Sequence, residues 1–77
     1  MLILTPSAAK PGHWRLGEQE LRPGDVIEIW ASGEWYTAQV EYIPELREQR
    51  LRVNGYKSDL PFITGTPAQW SQPDIAA

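Results

Sequence analysis

Five side chains, most of them gathered on one stretch of the sequence, are of types that bind ligands. They are Glu28, Trp30, Trp35, Tyr36 and Tyr56. The face of an aromatic ring attracts a cation by about 0.5–1 kcal/mol where it is exposed, and by more where water is excluded. Tryptophan and tyrosine also anchor protein partners more often than most residues do. This set therefore predicts a surface that binds a cationic or a peptide ligand.

Residues for covalent or metal chemistry are few in this chain. His13 is the only histidine and there is no cysteine, so neither a zinc site nor a Cys/His pair can be assembled. No serine lies in a nucleophile-elbow context, and no glycine-rich phosphate loop precedes a helix. Glu45 and Glu48 are expected to form a solvated loop face instead of an acid/base pair. We therefore expect no catalytic activity, no metal and no cofactor.

Length and charge limit the classes of partner. The 77 residues suffice for one domain, and seven Lys and Arg against ten Asp and Glu give a net charge of −3. This balance disfavours the phosphate contacts that dominate nucleic-acid affinity. Arg47, Arg50 and Arg52 alternate with acidic and amide residues, so a nucleic-acid-associated role is only a minor alternative.

No segment of the sequence is typical of a membrane or secreted protein. No apolar run approaches the ~20 residues that span a bilayer. The apolar run Met1–Leu4 is too short for the core of a signal peptide and lacks a basic region before it. The absence of cysteine fits a reducing compartment. We expect a soluble, cytoplasmic protein that does not bind membranes.

The first strand that positions the aromatic set is Val26–Trp30. It is rich in β-branched residues and no helix start signal precedes it. Because side chains alternate along a strand, Ile27 and Ile29 are predicted to face the core, while Glu28 and Trp30 share the opposite face. An outward tryptophan beside a carboxylate suits a cationic or peptide ligand.

A tight turn over Ala31–Glu34, with Gly33 at positive φ, is predicted to lead into a second strand, Trp35–Tyr42. Its alternation assigns Ala38 and Val40 to the core. Trp35 then faces outward, whereas Tyr36 either faces a ligand or simply packs the interior, as aromatic residues do in strands.

Shorter elements are predicted on both sides of this hairpin. Ile43–Glu48 is expected to be a long loop with at most one helical turn, and Asn54-Gly55 is a strong turn signal. The remaining predictions are an edge strand at Leu2–Thr5, a strand at His13–Leu16, Leu21 packed ahead of a Pro23-Gly24 turn, a strand with Leu51 and Val53 inward, and an edge strand at Leu60–Ile63.

These short strands and turns predict an all-β fold, a small five-stranded barrel that is closed or half closed. Residues 13–63 are assigned to the barrel and residues 1–12 to an N-terminal arm. Residues 64–77 are assigned to a proline-punctuated tail in which only Trp70 and Ile75 are expected to anchor, and the last five residues are expected to be disordered.

One pattern resembles a known family. The run PGDVIEIW, a short turn, WYTAQV, a loop and RVNGY are similar to the SH3-like barrels, and among them to the Tudor domain. The resemblance covers about Leu21–Phe62. It implies a five-stranded barrel in which Trp30, Tyr36 and Tyr56 occupy the positions of the aromatic residues with which Tudor domains bind methylated arginine or lysine. The chain also resembles small bacterial SH3-like proteins.

Two hypotheses about function follow. The first is a non-catalytic binding module that holds a protein segment in an aromatic groove around Trp30, Trp35, Tyr36 and Tyr56, with Glu28 beside it. The second is a structural or assembly subunit that buries the same aromatic residues in a protein–protein interface.

Overall fold

The computed structural model describes residues 1–71 as an all-β fold, as the sequence predicts, without a helix in that range. These residues form seven short strands in two antiparallel sheets, of order β1-β2-β3 and β6-β5-β4-β7. The strands are β1 (Leu4–Pro6), β2 (Trp14–Leu16), β3 (Gln19–Glu20), β4 (Val26–Ala31), β5 (Glu34–Ile43), β6 (Glu48–Val53) and β7 (Ala68–Trp70). Residues 1–71 contain no helix that is long and apolar enough to cross a bilayer.

The β4–β5 hairpin has the predicted turn, and the structure adds its register. Ile27 lies opposite Ala38 in the ladder, and Trp30 lies opposite Trp35. Two residues, Ser32 and Gly33, connect the strands with φ of 50° and 81°. Both angles are left-handed, which is the conformation that a two-residue hairpin turn of type I′ requires. The turn therefore fixes the pairing of the two tryptophans.

A single core lies between the two sheets. The hairpin residues assigned to it from the sequence are buried there, which confirms their predicted orientation. Its members are Leu4, Leu16, Leu21, Ile27, Ile29, Ala38, Val40, Leu51, Val53, Phe62 and Ala68. Leu4 and Ala68 come from the two stretches that the sequence analysis assigns to an arm and a tail.

Backbone hydrogen bonds join the two sheets along β1. The N–H of Leu4 donates to the carbonyl of Thr66 at 2.9 Å, and the N–H of Gly65 donates to the carbonyl of Leu4 at 2.8 Å. Farther along, the N–H of Ala68 donates to the carbonyl of Leu2 at 3.1 Å. The chain from Gly65 to Ala68 therefore pairs with the N-terminal segment and links the first sheet to the second.

Gln49 joins the sheets on the other side. Its side chain is fully buried; its Oε1 accepts a hydrogen bond from the N–H of Trp14 at 2.8 Å, and its Nε2 donates to the carbonyl of Leu21 at 3.0 Å. The N–H of Gln49 donates to the carbonyl of Gly12 at 2.7 Å. A buried polar side chain is tolerated when it is fully hydrogen-bonded, and here it ties β6 to β2.

The N-terminal segment differs from its prediction. The strand starts two residues later than expected, at Leu4, and only Ile3 adds a bridge before it, with Pro67. The carbonyls of Leu2 and Ile3 accept hydrogen bonds from the N–H groups of Ala68 and Gly17, so these residues pair only at isolated positions. The regular ladder begins at Leu4, which is completely buried in the core. Gly12, at the end of the expected arm, contacts β6 through its carbonyl.

The segment after Asn54-Gly55 also differs. The predicted strand Leu60–Ile63 is not a strand; only Leu60 pairs, through two 2.8 Å hydrogen bonds with Leu51. Pro61 has no N–H to continue a ladder. Phe62 turns inward and stacks on Trp14, with ring centroids 5.0 Å apart.

Two further differences lie at the loops and the C-terminal part. The loop expected over Ile43–Glu48 shrinks to a four-residue turn, because β5 extends to Ile43 and β6 begins at Glu48. In the stretch assigned to a tail, Ala68–Trp70 pairs with β4, so Trp70 lies opposite Ile27. Ile75 and the last five residues lie outside the described residues.

Candidate functional site

Trp30 and Trp35 form an exposed aromatic pair near the tip of the β4–β5 hairpin. Because they are directly opposite in the ladder, their side chains project from the same face of the sheet. Their ring centroids are 5.3 Å apart, and the rings are inclined at 68°. This edge-to-face arrangement is one that aromatic pairs prefer. The exposed fractions are 42% for Trp30 and 37% for Trp35, so both rings remain accessible to a ligand.

Glu28 lies on the same face, two residues before Trp30. Its carboxylate oxygen Oε1 accepts a hydrogen bond from Nε2 of Gln69, at 2.8 Å. Gln69 is its direct partner in the β4–β7 ladder. The neighbouring strand therefore holds the carboxylate in position, and Glu28 and Trp30 share a face as the sequence predicts.

Tyr36 and Tyr56 belong to a different surface. Tyr36 follows Trp35 on β5, so it projects from the opposite face, where it packs against the core. Its ring centroid is 6.2 Å from that of Tyr56, at an angle of 73°. The charge of Glu34 raises the pKa of the Tyr36 hydroxyl above its ordinary value. Loss of solvent around the ring and the neighbouring Tyr56 raise this pKa further.

The five residues of the predicted site thus fall into two groups. Glu28, Trp30 and Trp35 share the outer face of the hairpin, while Tyr36 and Tyr56 meet on the inner side, toward the chain that follows β6. The single groove expected around all four aromatic residues is divided, because Trp35 and Tyr36 are neighbours on a strand and must point in opposite directions.

An apolar cavity of about 240 Å³ adjoins Trp30. We call it the Trp30 cavity, and none of the residues that line it within 1–71 is charged. Its lining residues are Ile29, Trp30, Ala31, Leu51, Leu60, Pro61, Ile63 and Thr66. Ile63 is 67% exposed, so an apolar surface borders the opening. Sequence reasoning missed this cavity because it assigned Leu60–Ile63 to an edge strand. Pro61, which cannot donate a ladder hydrogen bond, was the available signal against that strand.

A second, shallower recess of about 310 Å³ lies on the outer face of the hairpin. Its lining residues are Val26, Thr37, Ala38, Gln39, Arg52 and Asn54. Nε of Arg52 is 3.0 Å from a carboxylate oxygen of Glu41 and 3.8 Å from one of Asp59. Since both neighbours neutralise its charge, Arg52 offers little to a phosphate group.

Three other titratable residues, His13, Glu48 and Arg50, each contact a neighbouring side chain. His13 stacks on Tyr42, with ring centroids 5.5 Å apart. Nε of Arg50 lies 2.9 Å from a carboxylate oxygen of Glu48. Over residues 1–71, no three histidine or acidic side chains are grouped so that they could hold a metal ion.

Comparisons of the chain with protein-family models, with curated proteins and with solved structures gave no match. Function is therefore inferred from the surface of the molecule itself. Trp30 is the one residue of the predicted set that both lies in an exposed aromatic pair and lines an apolar cavity. The Trp30 cavity, with the Trp30–Trp35 pair beside it, is the candidate binding site.

Proposed function

We propose that this protein is a non-catalytic binding module that holds a protein segment in the Trp30 cavity and against the Trp30–Trp35 pair. One observation carries the proposal: Trp30, a member of the exposed tryptophan pair, also lines an apolar cavity whose lining residues within 1–71 are all uncharged. Such a cavity accepts an apolar side chain, and an exposed tryptophan at its edge is the residue type that most often anchors a partner.

We also propose that the two sheets form a small SH3-like barrel. Support comes from the hydrogen bonds that join the sheets on both sides, through Leu4 on one side and Gln49 on the other. The β4–β5 hairpin, which carries the resemblance, is a regular antiparallel pair from Val26 to Ala31 and from Glu34 to Gln39. Because Tyr36 and Tyr56 pair away from Trp30, this arrangement favours a peptide groove over a three-ring cage for a methylated side chain.

Selection of peptides tests the binding function. A library of random peptides displayed on phage is panned against the wild-type protein and against Trp30→Ala, both checked for folding by circular dichroism. We expect peptides that bind the wild type and lose about tenfold or more of their affinity for Trp30→Ala, as anchor residues do. Tyr42→Ala removes another exposed aromatic ring, which stacks on His13 away from the cavity, and should leave binding unchanged.

Either of two results would contradict this function. The first is that no peptide is enriched over background on the wild-type protein. The second is that the enriched peptides bind Trp30→Ala as tightly as the wild type.

The second candidate function is a structural or assembly role, in which the same surface is buried against another subunit. The exposure of Trp30 (42%) and Ile63 (67%) favours it, since large apolar side chains on a free surface often mark an interface. Sedimentation velocity over roughly a hundredfold range of concentration detects self-assembly by mass action. A monomer at every concentration would exclude the version in which the subunits are identical.

A further inference from the structure

The Trp30–Trp35 pair belongs to a longer apolar line on the outer face of the molecule. The N–H of Trp30 donates to the carbonyl of Pro67 at 2.9 Å, which places Pro67 beside Trp30 at the end of the β4–β7 ladder. On its other side, Pro67 forms a bridge with Ile3. Residues directly opposite each other on neighbouring strands share a face of the sheet. Ile3, Pro67, Trp30 and Trp35 therefore project from one face in a single line, which we call the outer row.

The outer row is accessible along its length. Ile3 is 42% exposed, the same fraction as Trp30, and Pro67 is half-buried. The residues that follow them in sequence, Leu4 and Ala68, are buried in the core, as alternation along a strand requires. Two further segments of the chain therefore extend the exposed aromatic pair with apolar side chains.

The outer row is long and narrow. Neighbouring strands lie about 4.8 Å apart, so the row extends about 14 Å from Trp35 to Ile3. Toward the middle of the sheet, the next residues on the same face are polar: Glu28 on β4, Thr37 on β5 and Gln69 on β7. On the other side the hairpin ends in its turn. An α-helix is about 10–12 Å wide and would cover the polar side chains as well, whereas an extended segment fits the width of the row.

The size of the outer row indicates what can cover it. A stable dimer buries about 800 Å² on each subunit. At their observed exposure, Trp30 and Trp35 offer about 60–100 Å² each, and Ile3 and Pro67 are smaller side chains. The four residues together therefore offer less than half of the area that a second copy of this chain would need to bury. The row is matched in size to a short segment of another protein.

We propose that the segment bound at the Trp30–Trp35 pair crosses the strands along the outer row and reaches Ile3. It is extended and directs an apolar side chain toward the row at every second residue. Three such side chains, at alternate positions of about five residues, span about 13 Å, which matches the length of the row. Ile3 and Pro67 are then part of the binding surface. This inference rests on the proposed binding function and specifies the chemistry and the path of its partner.

Peptides selected on the wild-type protein test the composition, and variants of Ile3 test the path. Enriched peptides should carry apolar residues at alternate positions over about five residues. Their affinity, measured by fluorescence polarisation, should fall about three- to tenfold for Ile3→Ser, as expected when a partly exposed aliphatic side chain loses its contact with a ligand. Ile3→Val keeps most of this contact and should retain most of the affinity.

Val26→Ser is the matched control. Val26 projects from the same face of β4 as Trp30 and is 40% exposed, close to the value for Ile3. It lies four residues from Trp30, about 13 Å away along the strand. The same substitution there should leave the affinity unchanged. Circular dichroism checks that both serine variants are folded.

The possible failures are distinguishable. Peptides that lose affinity for Trp30→Ala but bind Ile3→Ser as tightly as the wild type would overturn this inference and leave the binding function standing. Equal losses for Ile3→Ser and Val26→Ser would also overturn it, because the effect would then not belong to the outer row. Self-association of the wild type that Ile3→Ser abolishes would make a second copy the occupant, against this inference. If no peptide is enriched, both proposals fail.

Discussion

Trp30 and Trp35 face each other directly across the β4–β5 hairpin, with ring centroids 5.3 Å apart and an interplanar angle of 68°. The type I′ turn at Ser32 and Gly33 sets this pairing, because it fixes which residues of the two strands are opposite. The two rings therefore act as one surface, and each shields part of the other from water.

This contact should be measurable as a coupling energy. Edge-to-face pairs contribute about 0.5–1.5 kcal/mol beyond the area they bury. Urea unfolding of the wild type, Trp30→Ala, Trp35→Ala and the double variant completes a double-mutant cycle. We expect the double variant to be less destabilised than the sum of the two single variants, by an amount in that range. Strict additivity would show that the rings do not interact in solution.

Gln49 is predicted to be essential for stability. Replacing it with leucine puts an apolar side chain of similar size in the core but leaves the N–H of Trp14 and the carbonyl of Leu21 without their partner. Each unsatisfied buried group costs about 1–3 kcal/mol, so Gln49→Leu should lower the free energy of unfolding by about 2–5 kcal/mol. Denaturant unfolding measures this directly.

The matched control is Gln39→Leu, at an exposed position of β5. It makes the same chemical change where water can replace the lost hydrogen bond, and it should alter stability by less than about 1 kcal/mol. Equal effects of the two substitutions would mean that the side chain of Gln49 does not join the sheets.

Gly12 should tolerate no side chain. A Cβ built on it would overlap the carbonyl oxygen of Arg47, and its φ of +80° is a conformation that L residues rarely adopt. Gly33 has almost the same φ, +81°, but open space around its Cβ position. Both alanine variants carry the backbone cost of about 1–2 kcal/mol.

Gly12→Ala must in addition displace the turn between β5 and β6, so its thermal midpoint should be clearly lower than that of Gly33→Ala. Similar midpoints for the two variants would show that the Gly12 backbone does not approach Arg47 closely.

Glu41 should make stability depend on pH. Burial and a hydrogen bond with Asp59 raise the pKa of its carboxyl group, against the opposite effect of Arg52. A carboxyl with a higher pKa in the folded chain binds its proton more tightly there, so its stabilising contribution is present at low pH and is lost as the pH rises through the folded pKa. Glu41→Gln should therefore gain stability relative to the wild type as the pH rises from about 4, the ordinary carboxyl value, through the raised pKa of Glu41 in the folded chain.

Denaturant unfolding at several pH values measures the difference in stability between the wild type and Glu41→Gln. The control is the same comparison made in a chain that also carries Asp59→Asn. Since Asp59 is one cause of the raised pKa, the effect of Glu41→Gln on the pH dependence should shrink when Asp59 is replaced. A gain of wild-type stability over Glu41→Gln as the pH rises would show that Arg52 dominates instead.

The β4–β5 hairpin could be predicted from the sequence because its signals are local. The hairpin is recognisable because Ile27 and Ile29 alternate with Glu28 and Trp30, and because Gly33 allows the turn. These features involve residues that are close in sequence, so spacing alone indicates which side chains share a face.

Long-range contacts explain what the sequence does not reveal. Gln49 is a polar residue within a charged run, and only its meeting with Trp14 and Leu21 makes it a core residue. The Trp30 cavity likewise requires the end of β4 to approach Leu60 and Ile63, about thirty residues later. Nothing in the local pattern of either segment indicates the other.

Tryptophan side chains offer the most direct test of binding at this site. In a nitrogen-15 NMR titration with the tightest-binding selected peptide, the indole N–H signals report each of the four tryptophans. We expect the signals of Trp30 and Trp35 to shift, while those of Trp14 and Trp70, which pack against the core, stay in place. Shifts confined to Trp14 and Trp70, or no indole shift on binding, would contradict a binding site at the Trp30 cavity.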